Sequence, residues 1–109
     1  MPAVEERLAA LGRTVPDVAT PVADYVPASL TGSLVYTSGQ LPIVAGSLMG
    51  TGKVGADVSP EQAAAMAAQC ALNAIAAVRA LIGDLDRVTR VVKVVGFVAS
   101  APGFTGQPA

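Results

Sequence analysis

Histidine and tryptophan are absent from this chain of 109 residues, and cysteine occurs once. Without histidine, acid–base chemistry near neutral pH must come from carboxylates, tyrosine, cysteine, backbone groups or water. The lone Cys70 excludes an internal disulfide framework, and no Cys/His cluster has the spacing of a zinc site. We therefore expect no metal and no cofactor.

Charged and aromatic residues are also scarce, at 14% and 4% of the chain, and the formal net charge is −1. Nucleic-acid binding needs clustered positive charge, so we expect no nucleic-acid partner. The chain does not open with a basic and then apolar signal peptide, which predicts a cytoplasmic protein. Hydrophobic residues make up 52% of the sequence, enough for one core. We expect residues 1–109 to form a single domain.

Residues 59–83 have the sequence of one long helix. Ser59 is a good N-cap, Pro60 suits the first helical position, and Gln62 completes a capping box. Gly83 can adopt the left-handed conformation that ends a helix. The intervening residues are rich in alanine and contain no glycine or proline, so helix propensity agrees with these end signals.

Helical spacing divides the side chains of this helix into two faces. The predicted apolar face consists of Met66, Cys70, Ile75, Val78, Leu81 and Ile82. The predicted polar face consists of Glu61, Gln62, Gln69, Asn73 and Arg79. A membrane span is the alternative, but the polar residues interrupt it and alanine favours insertion poorly, so we expect no membrane. The pattern favours a helix that lies across a sheet, with Cys70 as a small hydrophobic residue rather than a nucleophile.

The first half of the chain predicts a short helix and then strands. We expect a helix at 2–12, an extended proline-containing arm at 13–27, and strands at 25–30 and 33–38 joined by Thr31 and Gly32. A short edge strand is expected at Leu48 and Met49. The glycines around Lys53 lack the spacing of a phosphate-binding loop, so Lys53 is expected to be solvated.

After a turn at residues 84–86, residues 87–100 have the pattern of the strongest strand in the chain. Residues 91–98 are apolar on both faces apart from Lys93, which predicts a strand inside a sheet. The basic residues Arg87, Arg90 and Lys93 are expected to form a solvated rim, with an anion site as the alternative.

Four stretches together resemble the RidA/YjgF family. They are ADYVPA at 23–28, TGSLVYTSGQLP at 31–42, CALNAIAAV at 70–78 and RVVKVVGFVASAPGFTGQP at 90–108. The resemblance covers nearly the whole chain and is greatest for a longer-chain branch of the family.

The resemblance implies a chorismate-mutase-like α+β fold, in which a sheet of mostly antiparallel strands packs on a long helix. It also implies a homotrimer with ligand clefts between subunits. The implied activity is hydrolysis of reactive enamines and imines, such as 2-aminoacrylate, to a keto acid and ammonia. Some family names cite an endoribonuclease, which the charge and aromatic content do not favour.

The resemblance also places five residues at the cleft. Tyr25 matches an aromatic that closes it, Ser38, Gly39 and Gln40 match a ligand-contacting loop, and Phe97 matches an aromatic on the central strand. A backbone amide without a neighbouring Cβ can approach a ligand carboxylate closely. The alternatives are that Tyr25 lies at the edge of the core, that Phe97 is a core residue and that Gly39 only forms a turn.

The family's carboxylate-binding arginine and water-positioning glutamate belong to a C-terminal third that would follow Ala109, so the catalytic residues are unknown. The corresponding helix and last strands are missing, so this sequence is expected to be the N-terminal two-thirds of the fold. We expect little or no deaminase activity from these 109 residues alone. Two alternatives remain open: a small-metabolite binding protein that uses the same cleft without turnover, and a remnant that aggregates through an exposed sheet edge.

Overall fold

The computed structural model describes residues 3–21 and 23–109, and within them the elements follow the order α–β–β–β–β–α. Helix α1 spans Ala3–Ala10 and is followed by an arm without regular structure. The predicted first helix begins at Pro2 and the predicted arm includes Val22, and both residues lie outside the described part. The four strands are short: β1 Ala28–Thr31, β2 Leu34–Thr37, β3 Ile43–Val44 and β4 Ser47–Leu48.

The strands form two antiparallel hairpins with two-residue loops. In the first hairpin Thr31 pairs with Leu34, so Gly32 and Ser33 form the loop, one residue later than predicted. Of these two loop residues, Gly32 alone has a positive φ, of 59°, which is the pattern of a type II′ turn. In the second hairpin, β3 pairs with β4 around Ala45 and Gly46. The predicted edge strand is therefore part of a hairpin.

Helix α2 spans Pro60–Ile82 and confirms the predicted long helix. The Ser59 hydroxyl accepts from the Gln62 N–H at 3.1 Å, and the Gln62 side chain accepts from the Ser59 N–H at 2.8 Å. Gly83 follows with a φ of 82°, and its N–H donates to the Arg79 carbonyl. Among the described residues, α2 is the one helix long and apolar enough to cross a membrane. The core helices of soluble proteins also meet this criterion. Here α2 packs against β1, β2 and β3.

The core is small and lies along the middle of α2. Its buried apolar residues are Val54, Val58, Leu72, Ala76, Ala77 and Leu85. The predicted apolar face of α2 is right only in part: five of its six residues are half-buried and Leu81 is exposed, whereas the fully buried apolar residues of the helix are Leu72, Ala76 and Ala77. Small side chains let the hairpins approach the helix closely. Because most sides of α2 carry apolar residues or alanine, the spacing of its apolar residues hardly distinguishes one face from another.

The predicted strand at 87–100 is also wrong for this chain. Residues 85–87 form a short 3-10 helix, and residues 88–99 have no regular structure. In the described part, no backbone hydrogen bond joins residues 89–98 to a strand; the chain rejoins the body where the Val54 N–H donates to the Ala99 carbonyl. A strand is stable only beside a hydrogen-bonded neighbour, and neither hairpin lies along this segment.

The α+β fold class is confirmed: antiparallel strands pack on a long helix. The strands form two separate ladders within the described residues rather than one sheet. The fold places the arm beside the segment that leaves β2, and this junction contains the candidate site.

Candidate functional site

An open cleft lies between the arm and the segment that follows β2. Its cavity volume is about 20 Å³, and all the empty space in and above the cleft, open solvent included, is about 320 Å³. A cavity volume of this size holds roughly one water molecule. The arm contributes Ala19, Thr20, Pro21, Tyr25 and Pro27, and the segment after β2 contributes Gly39, Gln40, Leu41 and Ile43. Three of the five predicted site residues, Tyr25, Gly39 and Gln40, therefore meet at one cleft.

Ser38 lies behind this cleft and ties its two sides together. Its backbone N–H donates to the Pro27 carbonyl at 2.8 Å, which extends the first hairpin by one pair. Its hydroxyl donates to the Val26 carbonyl. Ser38 is not among the lining residues. In this structure its role is to hold the arm against β2, which positions Tyr25 across from Gly39.

Gly39 has room around its Cα and an ordinary backbone conformation. No heavy atom lies within 4 Å of the position that a Cβ would take, and its φ is not in the left-handed region. Within residues 3–21 and 23–109, the backbone N–H groups of Gly39 and Gln40 donate to no protein acceptor. Two adjacent N–H donors at the edge of a cleft can receive a carboxylate. Because the φ of Gly39 is ordinary, the backbone conformation at this position does not require glycine.

Gln40, Tyr25 and Thr20 supply the polar side chains that line the cleft. The Gln40 side chain is half-buried and donates from Nε2 to the Ser38 carbonyl at 3.4 Å. Tyr25 has 41% of its surface accessible, an exposure that fits a residue at the edge of the core as well as one that borders a cleft. Its ring forms part of the arm's side of the cleft.

Phe97 is placed differently from the other predicted site residues. It lies in the irregular segment 88–99, is 95% exposed and does not line the cleft. The strand that would have carried it to the site is not formed in this chain. Both earlier interpretations of Phe97, ligand wall and core residue, therefore lack support in this structure.

Asn73 is a site residue that sequence reasoning missed. It was assigned to the solvent face of α2, yet it is only 2% exposed. Its Nδ2 donates to the carbonyls of Leu41 and Ile43, both at 3.0 Å, and these two residues line the cleft. The signal in the sequence is an Asn–Gln pair spaced by four within an alanine-rich helix, where asparagine is a poor helix former.

The lining residues carry no charged side chain, and the Tyr25 hydroxyl is their one titratable group. The thiol of Cys70, half-buried on α2, has its pKa raised by desolvation, which the Cys70 backbone hydrogen bond partly offsets. A raised pKa leaves little thiolate near neutral pH, so Cys70 is a poor nucleophile. Among the described residues, the cleft offers backbone donors, the Gln40 amide and the Thr20 hydroxyl, and no carboxylate, amine or imidazole lines it.

Comparison with known proteins gives consistent matches over most of the chain. A family described as "YjgF/chorismate_mutase-like, putative endoribonuclease" matches residues 5–104. Protein TCP17 of Trypanosoma cruzi is 42% identical over 106 residues, which are 95% of this chain and 65% of that protein.

Two solved structures share the architecture. The protein Atu1372 of Agrobacterium tumefaciens, of unknown function, has a TM-score of 0.86 and 46% identity, covering 96% of this chain and 64% of its own. A protein from Shewanella oneidensis MR-1 named "putative endoribonuclease" has a TM-score of 0.75 and 38% identity, covering 80% of this chain and 58% of its own. This chain thus spans 58–65% of the length of these relatives.

Proposed function

This chain belongs to the YjgF/chorismate-mutase-like family, and from that premise we propose that its cleft binds a small 2-imino or 2-keto acid. We further propose that the full-length form is RidA-like and hydrolyses reactive enamines and imines to a keto acid and ammonia. The observation that carries the proposal is the pair of adjacent unpartnered N–H groups, at Gly39 and Gln40, in a cleft that Tyr25 borders.

The chemistry of such a ligand suits this cleft. A 2-imino acid carries a carboxylate beside the C=N carbon, and backbone N–H groups bind a carboxylate without needing a cation. Because Gly39 has no Cβ, a ligand oxygen can approach its N–H closely. The apolar side chains of Pro27, Leu41 and Ile43 leave room for a small carbon skeleton rather than a second charge.

The proposed reaction asks little of the protein once the substrate is held. An enamine tautomerises to the imine, and a water oxygen bonds to the imine carbon while one water proton passes to the nitrogen. The C–N bond then breaks as the nitrogen takes up the remaining hydroxyl proton and leaves as ammonia, and the C–OH group becomes the keto carbonyl. Imines hydrolyse readily, so binding and orientation supply most of the catalysis. Gly39 and Gln40 would hold the carboxylate while Tyr25 covers one side of the C=N bond.

The cleft of one chain is too shallow to enclose this ligand. Its cavity volume of about 20 Å³ accommodates roughly one water, whereas ligand sites usually surround most of the ligand. We propose that a neighbouring copy in a homotrimer supplies the missing wall.

Binding without turnover is the second candidate function. It is favoured by one observation: no charged side chain lines the cleft, and Tyr25 carries its single titratable group. The endoribonuclease named for the family and for the Shewanella relative is less favoured. The chain has a net charge of −1 and no histidine, so it offers neither a basic surface nor the usual acid–base residue for RNA cleavage.

The test is an NMR titration of the ¹⁵N-labelled chain with pyruvate, a stable 2-keto acid. We expect concentration-dependent shifts of the Gly39 and Gln40 amide signals. Gly39→Ala should weaken pyruvate binding about tenfold because the methyl group obstructs the N–H, while stability changes by no more than about 1 kcal/mol. Gly96→Ala is the matched control, since Gly96 also has open space and an ordinary φ.

Shifts confined to residues outside the cleft, or equal effects of the two glycine variants, would contradict the proposal. A parallel assay should follow ammonia release from 2-aminoacrylate generated in solution. For this chain we expect release at the rate of buffer, while a full-length relative should exceed buffer. Pyruvate binding by both without turnover by either would favour the binding protein.

A further inference from the structure

Asn73 forms a hydrogen-bonded connection between the middle of α2 and the wall of the cleft. Its Nδ2 donates to the Leu41 and Ile43 carbonyls at 3.0 Å each, across 32 and 30 residues of sequence. Its Oδ1 accepts from Gln69 Nε2 at 3.0 Å, one helical turn earlier. At 2% exposure, Asn73 is the one buried polar residue among those described. All the hydrogen-bonding groups of its amide except one lone pair are thus engaged inside the protein.

The segment that Asn73 holds has few other restraints. The Ile43 N–H donates to the Leu41 carbonyl at 2.8 Å, forming a tight turn around Pro42, and the Met49 N–H donates to the Pro42 carbonyl at 2.9 Å. Neither bond reaches α2. The two Asn73 bonds therefore set the distance between this turn and the helix.

We propose that Asn73 is a positioning residue for the cleft. By holding Leu41 and Ile43, it fixes where the chain leaves β2 and hence where the Gly39 and Gln40 N–H groups lie. The Gln69 bond orients the amide, because the donor bonded to Oδ1 keeps Nδ2 directed at the two carbonyls. The expected effect of Asn73 on pyruvate binding rests on the proposed function. Its expected effect on amide hydrogen exchange in the segment after β2 does not.

The chemistry explains why asparagine is needed at this position. Aspartate has nearly the same shape but offers oxygen atoms to two carbonyl oxygens, so both bonds become repulsive contacts. Alanine removes this donor from both carbonyls and leaves the Leu41 carbonyl with the Ile43 N–H, although it favours the helix more than asparagine does.

The experiment compares Asn73→Ala, Asn73→Asp and Gln69→Leu with Leu72→Ala. Leu72 is the adjacent buried residue of α2, and its truncation lowers stability through lost packing while leaving Asn73 in place. Two quantities are measured under conditions where every variant is folded: the Kd for pyruvate and the hydrogen exchange rates of the Ile43 and Met49 amides. Asn73→Ala tests the proposal if Asn73→Asp fails to fold.

We expect Asn73→Ala to raise the Kd about tenfold and to accelerate exchange at Ile43 and Met49 by a similar factor. Gln69→Leu should move both readouts in the same direction by a smaller factor. Leu72→Ala should change the Kd and the two exchange rates only by as much as its lower global stability accounts for. Equal effects of Asn73→Ala and Leu72→Ala at matched stability would overturn the proposal, since Asn73 would then be merely structural.

The two proposals fail in distinguishable ways. If the unaltered chain does not bind pyruvate, the proposed function is wrong, yet accelerated exchange at Ile43 in Asn73→Ala alone still shows that Asn73 positions the cleft wall. If pyruvate binds and Asn73→Ala changes neither Kd nor exchange, the positioning role is wrong and the proposed function stands.

Discussion

Single residues with left-handed backbone shape the two hairpins. In the second hairpin both loop residues have positive φ, 50° at Ala45 and 85° at Gly46, the pattern of a type I′ turn. Glycine adopts this conformation freely, whereas alanine does so at a cost of about 1–2 kcal/mol. Ala45 is the one described non-glycine residue with positive φ, so the strain is concentrated there.

Replacing Ala45 by asparagine should therefore stabilise the protein. Asparagine tolerates the left-handed region and is the preferred residue before glycine in a type I′ turn, so we expect a gain of about 0.5–1 kcal/mol in the free energy of unfolding. Urea denaturation measures the change. Gly46→Ala is the opposite control and should lose about 1 kcal/mol. A lower stability for Ala45→Asn would show that this turn is not type I′ in solution.

The elements depend on their ends, and α2 is the clearest case. The reciprocal Ser59–Gln62 bonds satisfy two backbone donors at its start, while Gly83 and the Arg87 side chain, which donates to the Ile82 carbonyl at 2.9 Å, satisfy carbonyls at its end. α1 has no buried residue of its own. It is held instead at its N-terminus by the Asp86 carboxylate, which accepts from the Ala3 and Val4 N–H groups at 2.8 and 3.0 Å.

Removing the capping box should destabilise α2 in a non-additive way. Ser59→Ala should cost about 1 kcal/mol of unfolding free energy, and Gln62→Ala somewhat less. Because the two bonds support each other, the double variant should cost less than the sum of the single variants. Chemical denaturation of all four proteins measures the cycle. Ser29→Ala, at an exposed position of β1, should be neutral, and strict additivity would show that the two bonds act independently.

Asp86 makes the docking of α1 depend on pH. The bonds from the Ala3 and Val4 amides, the largest causes, hold the pKa of this carboxyl below its ordinary value of 3.8. A carboxyl with a lowered folded pKa contributes stability above its unfolded pKa, and that stability is lost as pH falls through the folded value. We expect Asp86→Asn to lose this contribution at pH 6 and to differ progressively less from the parent below pH ~3.9.

Urea denaturation of both proteins between pH 6 and pH 2 measures this difference. Asp24→Asn removes the same charge at an exposed position and should leave the stability profile nearly parallel to that of the parent. A difference between parent and Asp86→Asn that stays constant over the whole range would contradict the role assigned to the Asp86 carboxylate.

At the scale of the whole molecule, a small core contrasts with a large exposed apolar segment. The radius of gyration is 14.8 Å, against about 13 Å for a compact domain of this length. Within residues 88–99, Val94 is 82% exposed and Phe97 is 95% exposed. A continuous exposed apolar surface of this kind promotes association.

Association of this chain should therefore rise with concentration and depend on residues 88–99. Light scattering coupled to size-exclusion chromatography should show a mass that increases with protein concentration. Val94→Lys combined with Phe97→Lys should shift the mass toward the monomer without lowering the urea midpoint, because both side chains are exposed. Leu11→Lys, at a 73% exposed position in the turn after α1, is the control and should leave the mass unchanged. An unaffected mass in the double variant would place the association surface elsewhere.

The candidate site was predictable in part. Family resemblance led to Tyr25, Gly39 and Gln40, and the cleft brings these three together. Ser38 lies behind them and Phe97 lies apart, because hydrogen bonding and strand formation, rather than sequence adjacency, decide where these side chains are placed. Asn73 was missed because an asparagine in a helix is normally exposed, and its carbonyl partners are about thirty residues away in the chain.

The sequence by itself determined the features that depend on neighbours along the chain: the ends of α2, the first hairpin, the α+β class and the family. Caps and turns act over a few residues, so their signals are present in the sequence. Only the tertiary structure decided that Asn73 and small alanines form the buried face of α2 and that residues 88–99 stay outside a sheet. Burial and strand pairing require partners distant in sequence, and an apolar pattern predicts a need for such partners without showing where they are.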